Sequence, residues 1–429
     1  PENKMALPPW SVELLRRGLT DVARRASEPE TLNKLKAQAT ELLQDLPETA
    51  ARGIDRVMKT AEAGKEAIQT WTRRHTSLVI PTINASGTLL HPGGSGLPIA
   101  DPVWQVGQEA LRGDFLHSGE AASRMDDMML RSLPGSATAV AVAGSMVSAT
   151  SALTLLASTR DLVVHRHHAI RVDDTTPLPD LFGGPLSVVK EVGAADEVRE
   201  SDFDALGPHC IICCDSASDP VQLMPSRPDR WQVVMLPYAT CHQHEGIDLP
   251  SAESMLAAGA DAVILPGGGI SGAPECGLIV GRSELLRPIT ESISWASLEA
   301  TLVTKLMVAK WLDCSRNHPE QLPLVDLMGI SEDNLRGRAE RMATRLSAVD
   351  GISSTQLTDQ QAHIHDNGRW SVPSRQVVLK HESKTAAGWQ QELASSTPAV
   401  IASTQEDTLS IDLRWVTPDA DSTIAEAFE

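Results

Sequence analysis

The chain has 429 residues, of which 41 % are hydrophobic and 22 % charged, so it is long enough for two or three domains with buried cores. Its net charge of −19 opposes nonspecific attraction to nucleic acid or to an anionic membrane over most of the surface. No apolar run approaches the roughly 20 residues of a membrane span, and no signal-peptide pattern opens the sequence. The six cysteines fit a reducing compartment. These features predict a soluble, cytoplasmic protein that does not engage a membrane.

Residues 1–75 predict a helical N-terminal domain, because apolar residues recur there at helical spacing. This segment carries 13 Lys and Arg against 11 Asp and Glu, a net of +2, which leaves −21 for the remaining chain. It is therefore where a polyanion could dock with least repulsion, although charge alone favours solvated helix faces. Its paired basic residues are Arg16/Arg17, Arg24/Arg25 and Arg73/Arg74.

Residues 76–310 predict a large α/β domain. Apolar strands alternate there with helical patterns, and strands that are apolar on both faces indicate a mostly parallel sheet covered on both sides. The predicted strands are 138–143, 161–166, 186–193, 210–215, 232–237, 262–265 and 277–281.

Residues 311–429 predict a smaller α+β domain. The pattern changes there to helix, strand, helix and then a pair of strands. The predicted elements are the helices 334–349 and 386–395 and the strands 375–381, 399–404 and 408–416.

The segment "AVAGSMVSAT", residues 141–150, is a candidate phosphate site, because a strand runs through Gly144 and Ser145 into a helix. Backbone N–H groups at a helix N-terminus can hold a phosphate, and glycine permits close approach. The same sequence also suits a plain strand-to-helix turn.

Histidines cluster in "HRHH" and "CHQHE". Alternate residues of a strand face the same way, so His165 and His167, or His242 and His244, could share a metal. None of these pairs has a recognised ligand spacing, so the sequence predicts no metal site. Nearby cysteines are expected to pack as small hydrophobic residues in a buried strand.

The segment "ILPGGGISGAPECGLIVGR", residues 264–282, lies between two predicted strands and therefore at a sheet edge. It has the shape of a loop that presents one reactive side chain, but three glycines stand where that side chain is expected. A plain connecting turn is the alternative.

Several segments together resemble bacterial selenocysteine synthase, the L-seryl-tRNA(Sec) selenium transferase family. "INASGTLLHPGGSGLPI" resembles the opening of that family's large domain, and "LAAGADAVILPGGGISGAPECGLIVGR" its lysine loop. "GEAASR", "VVHRHHAI", "EVGAADEV", "SLEATL" and "IDLRWV" extend the match in register, so the resemblance covers about residues 80–429.

The resemblance implies the fold type I architecture of pyridoxal-phosphate enzymes, with a mostly parallel seven-stranded sheet in the large domain and a small C-terminal domain. It also implies a homodimer or higher oligomer, and conversion of seryl-tRNA to selenocysteinyl-tRNA. The N-terminal helices stand in the place of the family's tRNA-binding domain, so tRNA is an expected partner there. Pyridoxal phosphate needs a lysine for its Schiff base and a carboxylate at its ring nitrogen.

The chain departs from the family at both of those positions. The lysine position is Gly269, and the position of the pyridinium carboxylate is Leu236. Further departures are Pro266, Ser95-Gly96 and Ala121.

The resemblance therefore identifies no catalytic residue, and no covalently bound cofactor is expected. Pyridoxal phosphate or another phosphate-bearing ligand could still bind noncovalently. The candidate anion-binding residues that remain are Gly144, Ser145, Arg124, Arg166 and Arg414.

Three hypotheses remain for the function. The first is a catalytically retired paralogue (a pseudoenzyme) that keeps the fold and the oligomer. The second is an enzyme of changed chemistry, with the clustered histidines at the old cofactor pocket. The third is an active pyridoxal-phosphate-dependent selenium transferase or related lyase with a lysine from elsewhere.

Overall fold

A computed structural model of the chain describes residues 78–116, 118–169, 177–182, 189–216, 220–366 and 368–428. The helices predicted for residues 1–75 lie outside these residues. The chain divides into two compact units between Ile80 and Pro81, and the elements below belong to the second unit.

Strands and helices alternate through the second unit as the sequence predicts. The strands are β1 Thr82–Ala85, β2 Ala139–Ala143, β3 Asp161–His165, β4 Val189–Val192, β5 His209–Cys214, β6 Arg230–Met235, β7 Ala262–Pro266, β8 Gly277–Gly281, β9 Ile352–Thr358, β10 Ala362–His363, β11 Ser371–Val372, β12 Gln376–His381, β13 Ala399–Gln405 and β14 Thr408–Asp412. The helices are α1 Asp101–Leu111, α2 Glu120–Arg131, α3 Met146–Ala152, α4 Ala252–Ala257, α5 Ser283–Thr290, α6 Leu302–Asn317, α7 Pro323–Gly329, α8 Glu332–Leu346, α9 Ala386–Ala394 and α10 Asp421–Glu426.

All seven strands predicted for the large domain form one sheet, in the order β2-β8-β7-β6-β5-β3-β4. Only β8 runs antiparallel to its neighbours, so the other six strands share one direction. The predicted mostly parallel seven-stranded sheet is therefore confirmed.

The large sheet is buried on both faces because its strands carry apolar side chains at odd and even positions alike. Cys213, Val234 and Val263 contribute to one apolar cluster, together with side chains of α1, α2, α4 and α6. Their strand neighbours Ile212 and Val233 contribute to a second cluster with α3 and α5. The six cysteines are buried free thiols, and burial raises the pKa of each, so they act as small hydrophobic residues.

A second sheet of five strands has the order β1-β13-β14-β12-β9 and its own apolar core. Its first strand, β1, precedes the large sheet in the sequence and pairs in parallel with β13. The chain thus contributes to the small sheet both before and after it builds the large one. The domain boundaries at 75/76 and 310/311 stay a prediction.

Gly193, which follows β4, lets that strand pack against the buried end of β3. Its φ is +71°, and a Cβ at this position would lie 1.7 Å from Nε2 of His165. We therefore expect Gly193→Ala to lower the free energy of unfolding by about 3 kcal/mol, measured by urea denaturation.

Gly207→Ala is the matched control, because a Cβ there would meet nothing within 4 Å. It should change the free energy of unfolding by no more than about 0.5 kcal/mol. Equal effects of the two substitutions would contradict the close packing at Gly193.

Candidate functional site

The carboxyl ends of the six co-directional strands meet at one edge of the large sheet. In open α/β sheets, ligands bind at this edge. Gly144 follows β2, His165 ends β3, Leu236 follows β6, and Gly269 follows β7. The sequence candidates on these strands therefore share one edge.

Backbone contacts with residues 96 and 97 hold Gly269 in place. Its carbonyl oxygen accepts a 2.7 Å hydrogen bond from Leu97 N, and it forms a parallel bridge with Gly96. Its φ is +56°, which favours glycine. A Cβ at Gly269 would meet only Leu90 Cδ2, at 3.6 Å, so there is space for a side chain although the backbone conformation disfavours one.

Leu236 is fully buried at 0 % exposure, in an apolar cluster with Val234 and Val263. Its backbone nitrogen donates to Ile264 O at 2.8 Å, which continues the pairing of β6 with β7. A hydrocarbon side chain thus fills the position that the resemblance assigns to the pyridinium carboxylate.

Gly144 and Ser145 are exposed at the turn from β2 into α3. Gly144 N donates to Leu298 O at 2.8 Å, and Ser145 Oγ accepts from Ser148 N at 3.1 Å as the N-cap of α3. The turn is therefore a capped strand-to-helix connection at the edge where a phosphate could approach.

Lys305 lies near this turn, which the sequence pattern gave no reason to expect. Its Nζ donates to Glu299 Oε1 at 2.8 Å. Glu299 in turn forms an antiparallel bridge with Ala143, the last residue of β2. The contacts connect a lysine of α6, through Glu299, to the β2 end of the sheet edge.

The three candidate arginines lie in different environments. Arg124 is exposed on α2. Arg166 is half-exposed after β3, where it donates to Gly193 O at 2.7 Å and lies 3.8 Å from Glu191.

Arg414 is buried at 3 % exposure, and its guanidinium donates to backbone carbonyls at 2.8–3.1 Å. Two of these carbonyls, from Leu327 and Ile330, belong to the C-terminal end of α7, and the third is that of Pro373. Burial lowers the pKa of Arg414. The structure thus places Arg414 among carbonyl acceptors rather than beside Gly144 or Arg166.

The expectation that His165 and His167 face the same way is wrong, because β3 ends at His165 and residues 166–168 form a 3₁₀ turn. His165 Nε2 contacts Asp202 at 2.9 Å, and its Nδ1 accepts from His167 N at 3.1 Å. The ring of His167 instead contacts Ala195 O at 3.0 Å. Both ring nitrogens of His165 are engaged, so it connects elements of the fold.

His242 and His244 lie in the loop between β6 and α4 and line one cavity of about 390 Å³. His242 Nδ1 forms a 2.9 Å hydrogen bond with Ser315 Oγ. Within the described ranges, no group of three His, Cys, Asp or Glu residues could hold a metal ion.

A buried ion pair at the sheet edge joins residues that are 154 positions apart. Asp215, which follows β5, is 2 % exposed, pairs with Arg369 and accepts from Val221 N at 2.8 Å. Burial raises the pKa of Asp215, although Val221 N–H and Arg369 oppose the shift. Arg369 also lies over the ring of Trp370, 4.5 Å from its centroid. No local signal could have predicted this pair.

The architecture is that of fold type I pyridoxal-phosphate enzymes: a seven-stranded sheet with one antiparallel strand, its carboxyl edge carrying the site loops, and a separate smaller sheet. The solved structure of a D-glucosaminate-6-phosphate ammonia-lyase aligns with a TM-score of 0.53 and 16 % identity, covering 81 % of this chain and 95 % of that one. The predicted fold class is confirmed.

The family model described as L-seryl-tRNA selenium transferase matches residues 243–417. The L-seryl-tRNA(Sec) selenium transferase of Moorella thermoacetica is 24 % identical, over 93 % of this chain and 91 % of the relative. That of Hyphomonas neptunium is also 24 % identical, over 98 % and 97 %. The resemblance to the selenium transferase family is confirmed, and the low identity fits a divergent relative.

No helix in the described part of the chain is both long and apolar enough to cross a membrane.

The buried imidazole of His168 should make stability depend on pH. Burial, followed by the neighbouring His167 and His165, lowers the pKa of His168 from 6.5 to about 4. His168 therefore stays unprotonated in the folded protein down to about pH 4, whereas in the unfolded chain it binds a proton below pH 6.5. Above pH 6.5 His168 does not change the free energy of unfolding. As the pH falls from 6.5 to 4, His168 lowers the free energy of unfolding by about 1.4 kcal/mol per pH unit.

We expect His168→Gln to make the free energy of unfolding less sensitive to acid across that range, as measured by urea denaturation. His318→Gln is the control, because the side chain of His318 is 51 % exposed. If the wild type and His168→Gln lose stability equally between neutral and acidic pH, His168 is not buried in its neutral form.

Proposed function

We propose that this protein is a selenocysteine synthase-like pseudoenzyme, which keeps the family's fold and oligomer without lysine-dependent cofactor chemistry. The observation that carries the proposal is Gly269. The residue in the place of the family's lysine has no side chain, and it holds Gly96 and Leu97 through its backbone. Its φ of +56° is the conformation that glycine tolerates best.

The residues at the sheet edge do not fit a covalently held pyridoxal phosphate. Gly269 offers no amine, and Leu236 puts hydrocarbon where a carboxylate would pair with the ring nitrogen. Pyridoxal phosphate or another phosphate-bearing ligand would be held noncovalently, with Gly144, Ser145 and Arg166 as the polar groups at the ends of β2 and β3.

The alternative is an active pyridoxal-phosphate-dependent selenium transferase or related lyase. Lys305 favours it, since the pairing of Lys305 with Glu299 connects an amine to the end of β2. A further alternative is an enzyme of changed chemistry at the old cofactor pocket, with His165, His167, His242 or His244 as acid, base or metal ligand. His165 and His167 lie at the end of β3 on that edge, whereas His242 and His244 line a separate cavity.

A Schiff-base assay separates these functions. After incubation with pyridoxal phosphate and dialysis, we expect the wild type to be colourless and to retain no cofactor after borohydride reduction. Gly269→Lys should gain a chromophore that borohydride fixes to one peptide, because a Cβ there meets only Leu90 at 3.6 Å.

Gly207→Lys is the control, since it adds a lysine where a Cβ meets nothing within 4 Å. It should give only scattered labelling. A wild-type chromophore fixed to a single native lysine, Lys305 in particular, would overturn the pseudoenzyme proposal and support the active enzyme.

We infer that the protein associates with itself and binds tRNA in the cytoplasm. Exposed apolar side chains on α1 (Trp104, Leu111) and α2 (Leu130) support self-association, which light scattering measures. The relatives from Moorella thermoacetica and Hyphomonas neptunium are L-seryl-tRNA(Sec) selenium transferases, which supports tRNA as the partner. Residues 1–75 have a net charge of +2, whereas the remaining chain has a net charge of −21. This difference supports tRNA docking to residues 1–75.

Replacing Arg16, Arg17, Arg73 and Arg74 by Gln should weaken tRNA binding and flatten its salt dependence. Each lost phosphate contact reduces the slope of log K against log salt by about 0.9. Filter binding at several salt concentrations measures both effects.

The control is Arg336→Gln with Arg341→Gln, which removes two exposed arginines of α8. If the control weakens tRNA binding as much as the N-terminal substitutions do, the N-terminal segment is not the docking site.

A further inference from the structure

The cavity of about 390 Å³ between the loop after β6 and the C-terminal end of α6 belongs to none of the sites described at the sheet edge. It is lined by His242, Gln243, His244, Glu245, Glu253, Ser315, Arg316, Pro319 and Val325. The Lys305 end of α6 lies near β2, whereas Ser315 lies ten residues further along the helix, or about 15 Å. The cavity is therefore a separate place in the fold.

Residues 240–253 form one wall of the cavity, and backbone hydrogen bonds hold both ends of this segment. Thr240 N donates to Pro250 O at 3.0 Å, and Glu253 N donates to Cys241 O at 3.1 Å. Glu253 Oε2 also accepts a 3.0 Å hydrogen bond from Gln243 N. The loop folds back on the start of α4, which fixes the carboxylate of Glu253 at the cavity wall.

A cationic group, Arg316, also lines the cavity. Arg316 NH1 donates to Leu133 O at 2.8 Å, which anchors the guanidinium where α6 ends. Arg316 and Glu253 both line the cavity, and the charges of both act on His242. Arg316 and Glu253 are not paired with each other. The hydrogen bond of Glu253 is with Gln243 N, and that of Arg316 is with Leu133 O.

Two buried imidazoles complete the lining. His242 is held through Nδ1 by Ser315 Oγ at 2.9 Å. His244 is 8 % exposed, and its Nε2 has no hydrogen-bond partner among the described residues. A buried polar atom without a partner is costly, so a ligand that bonds to it would be stabilised.

The lining decides which class of ligand fits. A divalent metal is not supported, since no group of three ligating side chains comes close enough in the described ranges. A simple anion would be repelled by Glu253 and Glu245, and a simple cation by Arg316. The volume is at the lower end of the range for small-molecule pockets. A small molecule with one anionic and one cationic group can pair with Arg316 and with Glu253, which both line the cavity.

We propose that this cavity binds a free amino acid. The carboxylate of the amino acid pairs with Arg316, its ammonium group with Glu253, and a polar side chain reaches Nε2 of His244. Such a ligand is small enough for the cavity and supplies a hydrogen-bonding group for Nε2 of His244. That atom and Nε2 of His242 are the two lining imidazole nitrogens without a hydrogen-bond partner among the described residues. The site is independent of whether Gly269 leaves the sheet edge inactive.

Calorimetric titration of the full-length protein with each of the twenty amino acids tests the proposal. We expect one or a few with polar side chains to bind, and Glu253→Gln and Arg316→Gln each to weaken that binding by at least about tenfold. His244→Phe should weaken binding of the polar amino acid while leaving alanine binding, if measurable, unchanged.

His318→Gln is the matched control, because His318 is exposed near the same helix end. It should leave the affinity unchanged. Acetate and methylamine, which carry only one charge each, serve as half-ligands and should bind at least about tenfold more weakly.

Three results would overturn the proposal. One is the absence of binding by any amino acid; another is binding that neither Glu253→Gln nor Arg316→Gln affects. The third is binding of acetate as tight as that of the best amino acid, which would indicate a plain anion site. None of these results bears on the Schiff-base assay at Gly269, so the two proposals fail separately.

Discussion

The backbone contact between residues 96–100 and the glycine loop after β7 attaches the segment before α1 to the carboxyl edge of the large sheet. Leu97 N donates to Gly269 O at 2.7 Å, and Ala100 N donates to Gly272 O at 2.9 Å. A Cβ at Gly96 would lie 2.4 Å from Gly269 O, so glycine is required for this approach. The segment leading into α1 is thereby attached to the loop that carries Gly269.

The stability of the large sheet does not rest on the polar groups at its carboxyl edge. The large sheet is stabilised by two apolar clusters on its faces, and neither depends on a charged group at the carboxyl edge. Leu236 extends one of those clusters to the edge itself. The leucine side chain carries no desolvation cost at this buried position, whereas a carboxylate there would.

Polar groups at the edge are instead used to join distant parts of the chain. Asp215 holds Arg369 from the C-terminal region, and His165 holds Asp202 across the connection from β4 to β5. Arg414, expected from the resemblance to hold an anion, donates to carbonyls at the end of α7. Because these partners lie tens to hundreds of residues apart, neither spacing nor composition indicates them.

Local sequence patterns predicted the seven strands of the large sheet, and the resemblance predicted the fold class and placed Gly269 at the family's lysine position. Each of these depends on local apolar patterning or on residue identity at one position. Only the tertiary structure shows that His165 and His167 diverge, since β3 ends at His165 and residues 166–168 form a 3₁₀ turn. It also decided that β1 joins the small sheet, and that Glu253, Arg316 and His244 meet around one cavity. Those arrangements depend on where distant elements pack, which the period of a strand or helix does not encode.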